Sequence, residues 1–341
     1  MKQWLAAGLV GTAIFFVAAT TPDAQQAAKP AAAPASPARP YVPPRTPWGD
    51  PDIQGGWTNV NENGMPLQRP DTLTGKSVDE VDDSELAEIV KARNEAASAG
   101  AAAIGGRETG AGPTHWYEHY GAKNSRAWML TDPPDGRIPP LTPQAQQRLG
   151  GRAGGRGRGF GESRADSWLD RSFYDRCITR GFPGSMMPAI YGNAYDITQA
   201  PGLVAIRYEM IHETRVIRLD DSPRTGMRSH MGEARGRWEG NTLVVETTTF
   251  NGKNAFRGAS ENMKVTERFT RVADDVIDYK FTIEDPATWD RAWTADAPLA
   301  RTEGPIFEFA CHETNYGIAN ILAGARAEEK QKAERAKKGS N

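Results

Sequence analysis

From Asn193 onward the hydrophobic period of the chain becomes two, and this pattern restricts the fold more than any other feature of the 341 residues. At that period, successive side chains point to opposite faces of an extended strand. Strand-like runs are predicted at 194–199, 203–213, 215–219, 235–239, 242–250, 264–272, 276–284 and 306–311. Turn signals separate many of them: Pro201-Gly202, Asp220-Asp221, Glu239-Gly240-Asn241 and Asp274-Asp275. Links this short predict an antiparallel meander. About eight such strands predict a mainly β fold that closes into a small barrel or forms a strongly curled sheet.

The first half reads differently. After Met1-Lys2-Gln3, residues 4–19 carry no charge and small residues follow, which predicts a secretory signal over 1–24 with cleavage after Ala19 or Ala24. The alternative is a retained membrane anchor, but the apolar run is short for a bilayer span. Neither cleavage point has a cysteine nearby that a lipid could modify. Residues 25–47 are rich in Pro and Ala and predict an extended tether. Residues 48–192 predict a wrapping segment, because 47–70 is turn-rich and its two tryptophans sit among Gly and Pro. Within it, a helix should start at Asp82 or Asp83 and run through residue 98, with Leu86, Ile89, Val90 and Arg93 on one face. Residues 99–113 and the Gly/Arg-rich stretch 149–162 read as loops. Residues 193–326 read as the β-barrel core together with a C-terminal helix, and 327–341 as a basic tail.

The formal charge of −2 and a pI near 6.3 suggest neither a nucleic-acid nor an anionic-surface partner. The RGG-type stretch has no interleaved aromatic platform on which bases would stack, so a flexible insertion is expected there. Cys177 and Cys311 form an even pair, which in an oxidising compartment predicts a disulfide, with two free buried thiols as the alternative. A bridge would bring Arg176 and Arg180 toward His312 and Glu313. Those groups could then hold a polar substituent of a ligand or form a structural ion-pair knot.

Alternation along 203–213 places Val204, Ile206, Tyr208, Met210 and His212 on one face, read as inward. His212 at the end of an apolar row suits acid–base work, with Tyr208 as its orienter or proton donor; a hydrogen-bonded rim histidine is the plainer alternative. Glu246 and Glu267 would be costly if they faced a lumen unpaired; otherwise they are solvated, or neutralised by Arg235, Arg237 or Arg268. His115 and His119 are spaced i, i+4 but lack the glutamate next to the first histidine that a zincin helix carries, so aromatic wrapping by Trp116, Tyr117 and Tyr120 is expected and no metal. No G-x-S-x-G elbow, P-loop or dinucleotide fingerprint is present, which disfavours serine hydrolysis, NTP hydrolysis and nicotinamide chemistry; no cofactor is expected.

Eight blocks occur in order: PWGDPDIQGGW (47–57), TDPPDGRIPPLTP (131–143), RCITRGFPGSMMP (176–188), EMIHETRVI (209–217), RGRWEGNTLVVETTTF (235–250), ERFTR (267–271), EDPATWDRAWT (284–294) and EFACHETNYGIANILAGAR (308–326). Together they resemble a large family of exported proteins of Gram-negative bacteria, most without an assigned activity. The chain departs from it at Asn241, where the family's turn usually carries Asp, and in a more polar 221–233. The resemblance implies location outside the cytoplasm and a lipocalin-like barrel, and it supplies no catalytic residues.

These readings converge on a periplasmic or secreted lyase, isomerase or hydratase acting on a cyclic or aromatic hydrophobic small molecule. His212, Tyr208 and His312 are its candidate catalytic groups, and Arg176, Arg180, Glu246 and Glu267 its candidate binding groups. Two alternatives stand beside it: a non-catalytic lipocalin-like binding protein, and a carbohydrate-active protein suggested by the nine tryptophans. No stable membrane insertion is expected after signal cleavage, and the oligomeric state is open.

Overall fold

Alternation in 194–284 becomes seven strands: β3 (Ala194–Ala200), β4 (Leu203–Tyr208), β5 (Thr214–Arg218), β6 (Glu233–Glu239), β7 (Thr242–Thr248), β8 (Lys264–Ala273) and β9 (Val276–Glu284). Four short strands complete the sheet: β1 (Gly55–Thr58), β2 (Leu130–Asp132), β10 (Trp293–Asp296) and β11 (Leu299–Arg301). The computed structural model of the chain describes residues 41–104, 124–150, 165–189, 191–253, 256–313 and 315–339. The predicted signal and most of the tether, the Gly/Arg-rich loop beyond residue 150, and His115 and His119 lie outside them.

The strands run in the order β11-β1-β3-β4-β5-β6-β7-β8-β9, and β11 pairs back onto β9 through Leu299↔Ile277 and Ala300↔Val276. The result is a closed nine-stranded barrel, with β10 and β2 extending from β9 as a flap. Closure removes the unpaired edges an open sheet would expose. The expected meander holds with one exception: β5 and β6 pair in parallel, Ile217↔Ala234 and Arg218↔Arg235. Parallel pairing requires a crossover, and the connection between Leu219 and Gly232 supplies it. Gly236 makes the seam possible, since a Cβ there would lie 2.7 Å from Leu219 Cδ2 and 2.8 Å from Ile217 Cγ2.

Aromatic side chains fill much of the interior. Trp57, Tyr195, Phe269, Tyr279 and Phe281 are fully buried, with the Phe269 and Tyr279 rings 4.8 Å apart and Tyr195 meeting Tyr208 edge-on at 5.8 Å. Fully burying one such ring instead of leaving it in water is worth roughly 1.5–3 kcal/mol. The repeated inward positions of β3, β4, β7, β8 and β9 therefore dominate the stability of the barrel.

Several sequence expectations need correction. The run 203–213 is two elements, because Ile211 (φ 60°) and His212 (φ 39°) take left-handed backbone and form a turn that sends the chain back as β5. Met210 and Ile211 are apolar, so alternation alone could not separate that turn from a strand. Residues 306–311 form no strand; the barrel is closed by β11, too short and too close to Pro298 to be seen as alternation. The wrapping segment also enters the barrel: β1 lies between β11 and β3, with Trp57 at its centre. The chain is against the barrel by Tyr41, ahead of the expected start near Trp48, because the Tyr41 hydroxyl bonds Asp274 (2.8 Å) and Arg45 bonds Asn241 (2.9 Å).

The described residues include three α-helices. α1 (Asp83–Ile104) is capped by the Asp82 carboxylate on the Glu85 amide and runs past residue 98. Val90 is buried, Leu86 and Ile89 pack on the core, and Arg93 reaches Asn124 and the Ala127 carbonyl. α2 (Pro143–Gly150) was not read from the sequence; Thr142 caps it through the Ala145 amide. α3 (Gly317–Gly339) extends through most of the expected tail, where Ala, Glu and Lys favour helix. Among the described residues no helix is long and apolar enough to cross a membrane.

Candidate functional site

The most unusual chemistry lies inside the barrel. Arg215 points inward from β5 beside Ile217, and Glu267 points inward from β8 between Val265 and Phe269. They meet across the interior in a bidentate pair, with Arg215 Nη1 and Nη2 donating to Glu267 Oε2 (2.6 Å) and Oε1 (2.8 Å). The side chains are only 3% and 0% exposed. The Tyr279 hydroxyl donates to Glu267 Oε1 at 3.1 Å, and the guanidinium stacks 4.1 Å from the Phe182 ring centroid. Desolvating two charges costs several kcal/mol each, so only such close, multiply bonded geometry offsets the penalty.

Tyr208 is on the same inward face of β4, diagonal to Arg215 across the Ile206↔Arg215 pair, a spacing long side chains can bridge. Its hydroxyl is buried and has no hydrogen-bond partner among the described residues; the same holds for Arg215 Nε. Burial holds the Tyr208 phenol well above its ordinary value; Arg215 opposes the shift, while Glu267 adds to it. Burial first, then the Glu267 charge, does the same to Tyr279. Both phenols therefore remain protonated donors at neutral pH.

The segment 165–189 caps this end of the barrel. Phe182 is its plug: it is 1% exposed, with one face on Arg215 and its ring stacked on Phe250 at 6.4 Å. The cap is tied down at several points. The Cys177–Cys311 disulfide joins it to the segment before α3. Asn59 Nδ2 donates to the Met186 carbonyl (2.9 Å), and the Thr179 and Ser185 hydroxyls contact Met231 Sδ at 3.8 and 3.9 Å. The Phe173 ring lies 4.6 Å from the His230 ring.

Glu213 stands where the cap meets the β4–β5 turn, accepting from the Arg180 amide (3.2 Å). Burial raises its carboxyl above the usual range, against hydrogen bonds from Thr179 and Arg180. An acid whose folded pKa is raised stabilises the fold below the unfolded pKa, and that contribution is lost as pH rises through the folded value. Glu213→Gln should therefore flatten the loss of stability above the usual carboxylate range. Urea unfolding of parent and variant from about pH 4 to about pH 8 would show it; parallel curves would contradict it.

The sequence candidates separate into two groups. Tyr208 and Glu267 are inside the barrel and belong to one cluster. The others stand apart from it. His212 is exposed on the 210–212 turn rather than at the end of an inward row, because the left-handed backbone there swings it out. Glu246 faces outward and pairs with Arg224 at 3.1 Å. Arg176 stacks on Trp168 (4.5 Å) and Phe173 (5.1 Å), whereas His312 and Glu313 are exposed. The disulfide thus gathers the chain segments as expected without assembling a site from these four side chains. Arg180 bonds the Met187 carbonyl at 3.4 Å, and its Nη1 is buried without a partner among the described residues. The expected neutralisers of Glu267 are engaged elsewhere, Arg235 with Glu233 and both Arg237 and Arg268 with Glu239.

Sequence reading missed Arg215, Phe182, Tyr279 and Glu213. For Arg215 the signal was present: alternation in Thr214–Arg218 puts it on the face of Ile217. Phe182 and Glu213 lie on irregular chain, where no period indicates direction. No group of three or more His, Cys, Asp or Glu side chains suited to a metal occurs among the described residues.

Fold and site together define a closed mixed β-barrel whose capped end holds a buried Arg–Glu–Tyr cluster beside an unpaired phenol. The chain matches no protein-family model, no curated protein and no solved structure.

Proposed function

We propose that the chain is a member of the exported family whose sequence blocks it carries, and that it binds a small hydrophobic molecule at the capped end of its barrel, outside the cytoplasm. The Cys177–Cys311 disulfide is compatible with an oxidising compartment. The observation that carries the binding reading is the Tyr208 hydroxyl, buried beside Arg215 with no partner among the described residues. An unpaired buried donor costs about 1–3 kcal/mol, and a ligand acceptor would recover that cost. Tyr195 meets Tyr208 edge-on and Phe182 covers Arg215, so the neighbourhood of the phenol is otherwise aromatic and suited to an apolar molecule.

Screening steroid, terpenoid, lignin-derived and sugar libraries by native mass spectrometry tests the reading. Tyr208→Phe should weaken the hits about tenfold, the effect of one lost hydrogen bond, while melting stays unchanged or rises slightly. Hits that bind the variant equally well, or no hits, would overturn the site.

Acid–base catalysis is the second reading, now favoured by Glu213 rather than His212. A carboxyl whose pKa burial raises, on the turn that follows the strand carrying a protonated phenol, supplies with that phenol the two groups that acid–base lyase or isomerase chemistry needs. Turnover that Glu213→Gln abolishes while binding persists would support it. Glycan cleavage has weaker support, because Glu267 is committed to Arg215 and Tyr279.

A further inference from the structure

We infer that the headgroup recognised at this site is an uncharged hydrogen-bond acceptor, a carbonyl oxygen above all, and not a carboxylate or other anion. The inference rests on the binding reading above and specifies its ligand class.

Charge balance is the first argument. Among the described residues Arg215 is the cation of the cluster, and both its terminal nitrogens already hold Glu267. The pair is neutral as a unit. A second anion would have to share Arg215 with Glu267, a like charge a few ångströms away in an interior that screens poorly. A carboxylate already at the edge of this region shows the same cost: burial raises the Glu213 carboxyl above its usual range although Thr179 and the Arg180 amide donate to it.

Hydrogen-bond inventory is the second argument. Two polar atoms without a partner among the described residues sit on diagonal neighbours of β4 and β5: the Tyr208 hydroxyl and Arg215 Nε. Nε can only donate. The Tyr208 phenol stays protonated and so has a proton to give. A pair of donors without a free negative countercharge suits one neutral oxygen with two lone pairs. The Phe182 and Tyr195 rings then bound the apolar remainder of the molecule.

Three naphthalene probes of equal size separate the possibilities in fluorescence and calorimetric titrations of the full chain: methyl naphthyl ketone, naphthoate and isopropenylnaphthalene. The ketone is expected to bind at least about tenfold more tightly than either of the others, one hydrogen bond's worth of discrimination. In Tyr208→Phe the ketone should lose most of its advantage over the hydrocarbon, with Arg215 Nε as the donor that remains. Glu267→Gln, which leaves the Arg215 charge uncompensated with little change of shape, should move the preference toward naphthoate. Naphthoate bound as tightly as the ketone by the unaltered protein overturns this inference and leaves the binding site intact. Equal binding of ketone and hydrocarbon also overturns it, assigning the site to apolar contact alone. No binding of any probe by a protein with an intact melting curve overturns the binding reading itself.

Discussion

Glu267→Ala is expected to destabilise the protein by about 3–5 kcal/mol, because it leaves the Arg215 guanidinium charged and unpaired in the barrel interior. Arg215→Met combined with Glu267→Leu should recover most of that loss, since two apolar side chains of similar volume carry no desolvation penalty. The Phe182 face that now covers the guanidinium would cover a methionine equally well. Urea unfolding of the single and double variants measures both. If the double variant is as damaged as the single, the pair holds strand register in a way hydrophobic packing cannot replace. If the single variant costs under about 1 kcal/mol, the pair is not the closed, dry contact its exposure indicates.

Removing the crosslink, by Cys177→Ser together with Cys311→Ser, is expected to lower stability by about 5 kcal/mol on the chain-entropy account. The bridge closes 134 residues of sequence, so its loss frees much of the unfolded chain that now has to be ordered. For a domain of this size that corresponds to a fall in melting temperature of roughly 10 °C or more. Because Cys177 lies in the cap, the variant should also loosen Phe182 over Arg215, seen as faster amide exchange across 173–186 than in the barrel strands. Unchanged melting and unchanged cap exchange would show that Asn59, Met231 and the other cap contacts suffice without the bridge.

Legibility differed sharply between regular and irregular chain. In β9, Ile277, Tyr279, Phe281 and Ile283 alternate with polar residues, and the strand falls where the pattern puts it. The same rule correctly turns Val204, Ile206 and Tyr208 inward. It failed at Met210–His212, where the side-chain pattern continues but two left-handed residues reverse the chain. It also failed at β1 and β11, whose few residues form strands only because the rest of the barrel presents edges to them. The disulfide was legible from cysteine count and expected compartment; the fate of the side chains beside it was not, since Arg176 found aromatic faces and His312 found solvent.

By itself the sequence determined which residues of each long strand face inward, because that depends only on a local backbone geometry with a period of two. It therefore placed Tyr208 in the interior, and the same rule applied to Thr214–Arg218 places Arg215 there too. Which charge neutralises Glu267, and what covers that pair, depended on closure. Arg215 is 52 residues from Glu267 along the chain and reaches it only because the parallel β5–β6 seam and the curvature of β6–β8 bring β5 and β8 to face each other across the interior. Phe182 reaches Arg215 from outside the barrel strands altogether. Contacts of that kind are set by the three-dimensional path of the chain, which no local period encodes, and the proposed site is made of them.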